Sequence, residues 1–81
     1  MTVDPAALSR TSRSLRGYAA SGRPEEREDA DARLSDLFVA AKRAEDVDAV
    51  ELLTQARQLL ALGPAGANEA DNLLPRLQPR S

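Results

Sequence analysis

Eighty-one residues with a net charge of −2 make at most one domain, and a chain this short buries only about 60% of the surface it exposes when unfolded. With no His and no Cys, imidazole acid–base chemistry, Ser-His-Asp triads, two-His or thiolate zinc sites and disulfides are all excluded. The hydrophobic content leans on alanine: 15 Ala stand against 17 Leu, Val and Phe combined, with no Ile, so helix is favoured but little area is available for burial.

The elements follow from the punctuation. Asp4-Pro5 reads as an N-cap and first helical residue, because proline lacks the N–H that would go unpaired there. The first helix then runs to Arg16 or Ala20, with Gly17 as an early stop and Gly22 as a later one. Leu8, Thr11, Leu15, Tyr18 and Ala19 share one side of it, and Arg10, Arg13 and Arg16 much of the other. Arg23-Pro24-Glu25-Glu26 opens a second helix with acids at the positive end of its dipole, and Lys42 and Arg43 suit its negative end. Ala30, Leu34, Leu37, Ala41 and Ala44 form its apolar stripe with Phe38 alongside, while Val39 points the opposite way. Asp46 caps a third helix, in which Ala49, Val50, Leu52, Leu53, Ala56, Leu59 and Leu60 cover about half the circumference. An arc that wide predicts a central helix, ended by Gly63-Pro64 and followed by a loop. Asn68 with Asp71 predicts the capping pair of a short fourth helix carrying Ala70, Leu73, Leu74 and Leu77, stopped or kinked near Leu74 by Pro75.

Strand signals are missing: there is no alternating apolar–polar run, and only two aromatic residues. The prediction is an all-α fold: one small helical bundle over residues 1–81, with three main helices and a short fourth, and residues 1–4 and 76–81 frayed. The few residues around Glu45-Asp46 predict that the second and third helices form an antiparallel hairpin. No signal-like run and no apolar stretch of the ~20 residues that span a bilayer is present, which predicts a cytoplasmic protein.

Charge is unevenly spread. Residues 1–23 carry a net +3, residues 24–51 a net −6 and residues 52–81 a net +1. Within the acidic stretch, Glu25, Glu26, Glu28, Asp29 and Asp31 crowd a helix start, where solvated acids stabilise the dipole, and Asp29 stands four residues before Arg33, the favoured order for an exposed pair. Asp29-Ala30-Asp31 begins like a calcium loop but has Leu34 and Ala40 where the glycine and glutamate are needed. Gly63-Pro64-Ala65-Gly66 lacks the following Lys-Ser/Thr of a phosphate cradle. No catalytic, cofactor-binding or metal-binding residues are predicted.

In the third helix, Ala49 and Ala56, seven apart and followed by Pro64, resemble part of a tetratricopeptide repeat. The chain holds at most one such hairpin, Ala40 or Ala41 stands where the first helix of the repeat has its aromatic residue, and about three repeats are needed for a stable stack. The repeat is therefore not assigned.

Two functional readings remain. The preferred one is a non-enzymatic interaction module, acting as an adaptor, regulator or assembly subunit. It rests on the thin core, which a partner or second copy would complete, and on four candidate interface residues, Val39, Leu73, Leu74 and Leu77. The leucines either complete the core or dock into another chain. The alternative is a nucleic-acid-associated regulator with Arg10, Arg13 and Arg16 on phosphates, helped by Ser9, Ser12 and Ser14; such a helix could also lie on an anionic membrane. The net acidity, the lack of interleaved aromatics and the acidic second helix that could pair with these arginines weigh toward their being solvated or paired within the fold.

Overall fold

The computed structural model describes residues 4–77, all of whose regular structure is helical. Helix α1 spans Pro5–Ser21, α2 Pro24–Arg43, α3 Val47–Ala61 and α4 Pro64–Leu73, and a 3-10 turn continues from Leu74 to Leu77. The expected fraying falls largely on residues 1–3 and 78–81, which lie outside the described residues. Asp4, Arg76 and Leu77 are placed: the first caps α1, the second lies in the 3-10 turn and the third is buried.

Local chemistry sets each boundary. The Asp4 carboxylate accepts the Ala6 N–H at 3.1 Å, and Gly22 closes α1 in the left-handed region at φ 67° with its N–H on the Tyr18 carbonyl. Gly17 does not stop α1; it is helical, and the side chain of Glu26 lies over it. Asp46 caps α3 by accepting the Ala49 N–H at 3.2 Å. The turn before it is a Schellman-type closure: Asp46 N–H reaches the Ala41 carbonyl and Glu45 N–H the Lys42 carbonyl. Glu45 takes the left-handed position, φ 56°, that glycine usually fills. Ala44 leaves the apolar stripe and is exposed, because it is the C-cap at which the chain turns away.

The α3–α4 junction differs from the sequence expectation. No loop follows Gly63-Pro64. Gly63, at φ 115°, is itself the N-cap of α4, and Pro64 is its first residue. Asn68 and Asp71 therefore sit inside α4 rather than capping it. Gly66 is buried at the crossing with α3, where a Cβ would stand 1.8 Å from the Leu59 carbonyl oxygen. Only a residue without a side chain allows the two backbones to approach this closely. The α-helix ends at Leu73, before Pro75, and tightens into the 3-10 turn.

The packed pairs are α1–α2, α2–α3, α3–α4 and α1–α4, with the 3-10 turn on α4 and α3. The helices thus close a ring, and α3 is not the central element. Its wide apolar arc serves two flanking neighbours, α2 and α4, and leaves Leu52 and Leu59 half-buried. The enclosed core holds Leu8, Leu15 and Tyr18 of α1, Ala30, Leu34, Leu37 and Ala41 of α2, and Ala49, Leu53, Ala56 and Leu60 of α3. Ala67, Ala70, Leu74 and Leu77 complete it. Buried Thr11 donates its hydroxyl to the Ala7 carbonyl one turn back at 2.8 Å, which satisfies that hydroxyl within α1.

Candidate functional site

The four apolar residues expected at an interface separate into different environments. Leu74 and Leu77 are 4% and 3% exposed and belong to the core. They complete it from the 3-10 turn, and Leu74 also lines a groove between α1 and the end of α4. Leu73 is half-buried and packs against the core from α4. Val39 is 47% exposed on α2. Among the described residues, the other exposed large apolar side chains, Val47 and Leu62, lie at opposite ends of α3.

The basic residues of α1 stay together. Arg10, Arg13 and Arg16 are all exposed, on the side of the helix turned away from buried Leu8, Thr11, Leu15 and Tyr18. Their relation to the acids differs from the simple expectation of pairing with α2. Asp29 of α2 takes the Ser14 hydroxyl at 2.6 Å and Arg33 Nε at 3.3 Å. The Ser14 hydrogen bond, more than Arg33, holds the Asp29 carboxyl below its usual range. Glu26 accepts a hydrogen bond from Ser21, and Asp31 faces Arg57 of α3 at 3.9 Å. Among the described residues, no ion pair engages Arg10 or Arg13.

Arg16 is paired, but with the other end of the chain. Its Nε donates to Asp71 Oδ2 at 3.0 Å, and the Ser12 hydroxyl donates to Asp71 Oδ1. Asp71 is buried, with its side chain 10% exposed, whereas that of Arg16 is 72% exposed. A carboxylate taken out of water needs partners of this kind, and both come from α1. The sequence gives little sign of this clasp, because its partners are 55 and 59 residues apart. The clasp lines an open groove of about 460 Å³, with Ser9, Ser12, Arg13 and Arg16 of α1 on one side and Asp71, Asn72, Leu74 and Pro75 on the other.

A second feature joins α2 and α3. The Phe38 ring has Lys42 Nζ 5.6 Å and the Arg57 guanidinium 5.5 Å from its centroid, both within cation–π range. Asp31 stands close to Arg57 at the edge of this cluster. Arg10 and Arg13 have no ion pair among the described residues.

No helix among the described residues is long and apolar enough to cross a membrane. Compared with known family models, curated proteins and solved structures, the chain matches none.

Proposed function

We propose that this chain is a non-enzymatic protein–protein interaction module, an adaptor, regulator or assembly subunit that contacts its partner through exposed helix surfaces. The observation that carries the reading is the contrast between a closed core and an open basic face. Leu74 and Leu77 fill the bundle from within, while Arg10 and Arg13 project from α1 with no ion pair among the described residues. The lack of His and Cys removes the commonest acid–base and nucleophilic groups. Val39, with Leu73 half-buried elsewhere, remains a secondary, apolar contact point. We also read α2 and α3 as an antiparallel hairpin. Asp31, in the first half of α2, lies near Arg57, in the last turns of α3, and only residues 44–46 join the helices.

Photo-crosslinking in the native cell tests the module reading, with a benzophenone side chain at Ser9 in one variant and at Val39 in another. A discrete protein adduct from Ser9 places the partner on α1. One from Val39 alone moves it to the outer face of α2. The absence of a protein adduct from both positions overturns the reading. A nucleic-acid regulator is the second reading, favoured by the same exposed arginines. It requires nucleic-acid adducts from Ser9 and an affinity that falls steeply with salt.

A further inference from the structure

The arrangement of Asp71, Ser12 and Arg16 does more than join two helices. An exposed arginine normally samples many rotamers, and fixing them costs free energy when a ligand binds. Arg16 is already tethered, because its Nε is committed to a buried carboxylate. The Ser12 hydroxyl bonds the other oxygen of that carboxylate, so the anchor is itself held. Through Nε alone the guanidinium spends one of its five N–H donors. The four on its terminal nitrogens remain, on a side chain that is 72% exposed. Arg13 stands three residues earlier on the same face and lines the same groove, close enough on the helix surface to act with Arg16.

We propose that the α1–α4 groove is a docking site for an acidic segment of a protein partner, whose carboxylates are received by Arg13 and Arg16, and that Asp71 is the positioning residue that presents Arg16. The proposal rests on the interaction-module reading and adds to it the chemistry of the partner. Charge complementarity selects the occupant. The groove lining carries two guanidinium groups against the one carboxylate of Asp71, and a guanidinium matches a carboxylate with paired, charge-assisted hydrogen bonds. A polynucleotide is disfavoured, because the stretch at 24–51 that follows α1 carries a net −6 and repels a long polyanion. A short acidic segment places fewer charges in that field than a polynucleotide does. Asp71 keeps its negative charge and lines the groove, so an incoming carboxylate has to be received by Arg13 and by the terminal nitrogens of Arg16, which the Asp71 contact leaves unused.

The test follows the arginine Nε–H signals of the full chain by NMR during titration with a short oligo-L-glutamate peptide at low salt. Arg13 and Arg16 are expected to shift saturably, while Arg43, exposed at the far end of α2, stays in place. Oligo-L-glutamine should shift none of them. Arg16→Ala should weaken binding about tenfold or more, the scale of a lost charge-assisted hydrogen-bond pair. Arg16→Lys should restore little of it, because an ammonium lacks the planar fork. In Asp71→Asn, a helical far-UV spectrum confirms the fold. There the Arg16 signal should move toward that of a free side chain before any peptide is added, and affinity should fall with it. A purely structural clasp would lower the melting temperature of Asp71→Asn and leave peptide affinity unchanged, which overturns the positioning role. Equal shifts at all arginines, no shift at Arg16, or tighter saturation by an oligonucleotide at the same two residues overturns the site. A protein adduct at Ser9 combined with a failed titration would sink this inference alone, whereas the loss of both adducts would sink the module reading beneath it.

Discussion

Helices α2 and α4 solve the same problem in opposite ways. Helix α2 has 20 residues and buries four of them, Ala30, Leu34, Leu37 and Ala41. Helix α4 and its 3-10 turn have 10 and 4 residues, and bury Gly66, Ala67, Ala70, Asp71, Leu74 and Leu77. The long helix is held by a narrow stripe and gives most of its surface to water. The short one is wedged on several sides by contacts of single-atom tolerance: a backbone crossing at Gly66, a buried carboxylate at Asp71 and two leucines from a tightened last turn. Length is thus a poor guide to which element the fold depends on. Few residues at the end of the chain close a ring that the first three helices leave open.

The difference makes α4 brittle and α2 tolerant. Gly66→Ala would put a Cβ 1.8 Å from the Leu59 carbonyl oxygen, so α4 must move off α3; overpacking against backbone at this distance should cost about 3 kcal/mol or more. In a domain this small, that loss brings the unfolding midpoint in urea sharply down. A variant as stable as the parent would mean that the crossing is loose and the wedge picture wrong. Leu77→Asp places a charge at a position 3% exposed and should be comparably destabilising, at more than about 3 kcal/mol. Val39→Asp, on the exposed side of α2, should change stability by no more than about 0.5 kcal/mol. Similar melting temperatures for these two variants would erase the contrast.

The same contrast marks what the sequence could tell. The core stripes of α1, α2 and α3 follow from helical periodicity, and Leu8, Thr11, Leu15 and Tyr18 are buried as their shared face requires. So do the caps at Asp4 and Asp46, since capping depends on neighbours a few residues away. Periodicity states which residues share a face, but not what that face meets. For that reason Leu74 and Leu77 could be read as core or as interface until α4 was placed against α1 and α3. Asp71 looks like a cap when only its neighbours are considered, and becomes a clasp because α1 returns to it. Gly66 looks like a loop residue beside Gly63 and Pro64, and its actual role depends on the distance between two backbones, which no local pattern encodes. The arginine face of α1 was legible as a face, but the pairing of Arg16 with Asp71 rather than with α2 was not.

The turn at the end of α2 offers a smaller and opposite effect. Glu45 holds a left-handed conformation, φ 56°, that disfavours a side chain. Glu45→Gly removes that strain at the price of a more flexible unfolded chain, and should raise stability by about 0.5–1 kcal/mol. Thermal unfolding followed by circular dichroism reads the shift. A lower melting temperature would show that the Glu45 side chain contributes more than its backbone strain costs, and that this end of α2 is less tolerant than its exposed surface suggests.

The smallest effect belongs to Asp29, on the solvent side of α2. Its carboxyl is held below the usual range, chiefly by the Ser14 hydroxyl and further by Arg33. A group whose pKa is lowered by folding adds stability that is fully present above its unfolded value and is lost as the pH falls through its folded value. The contribution of Asp29 therefore disappears on acidification through the lower carboxylate range, and is absent in Ser14→Ala to the extent that the hydroxyl sets it. Because Asp29 is largely exposed, water and salt screen the interaction. The expected result is a slightly shallower acid limb in the stability–pH profile of Ser14→Ala, with convergence on the parent at the acidic end. Parallel profiles displaced by a constant amount would mean that Ser14 stabilises the α1–α2 seam through packing and not through the Asp29 carboxylate. In that case the seam on the α2 side would owe its stability to the buried stripe alone.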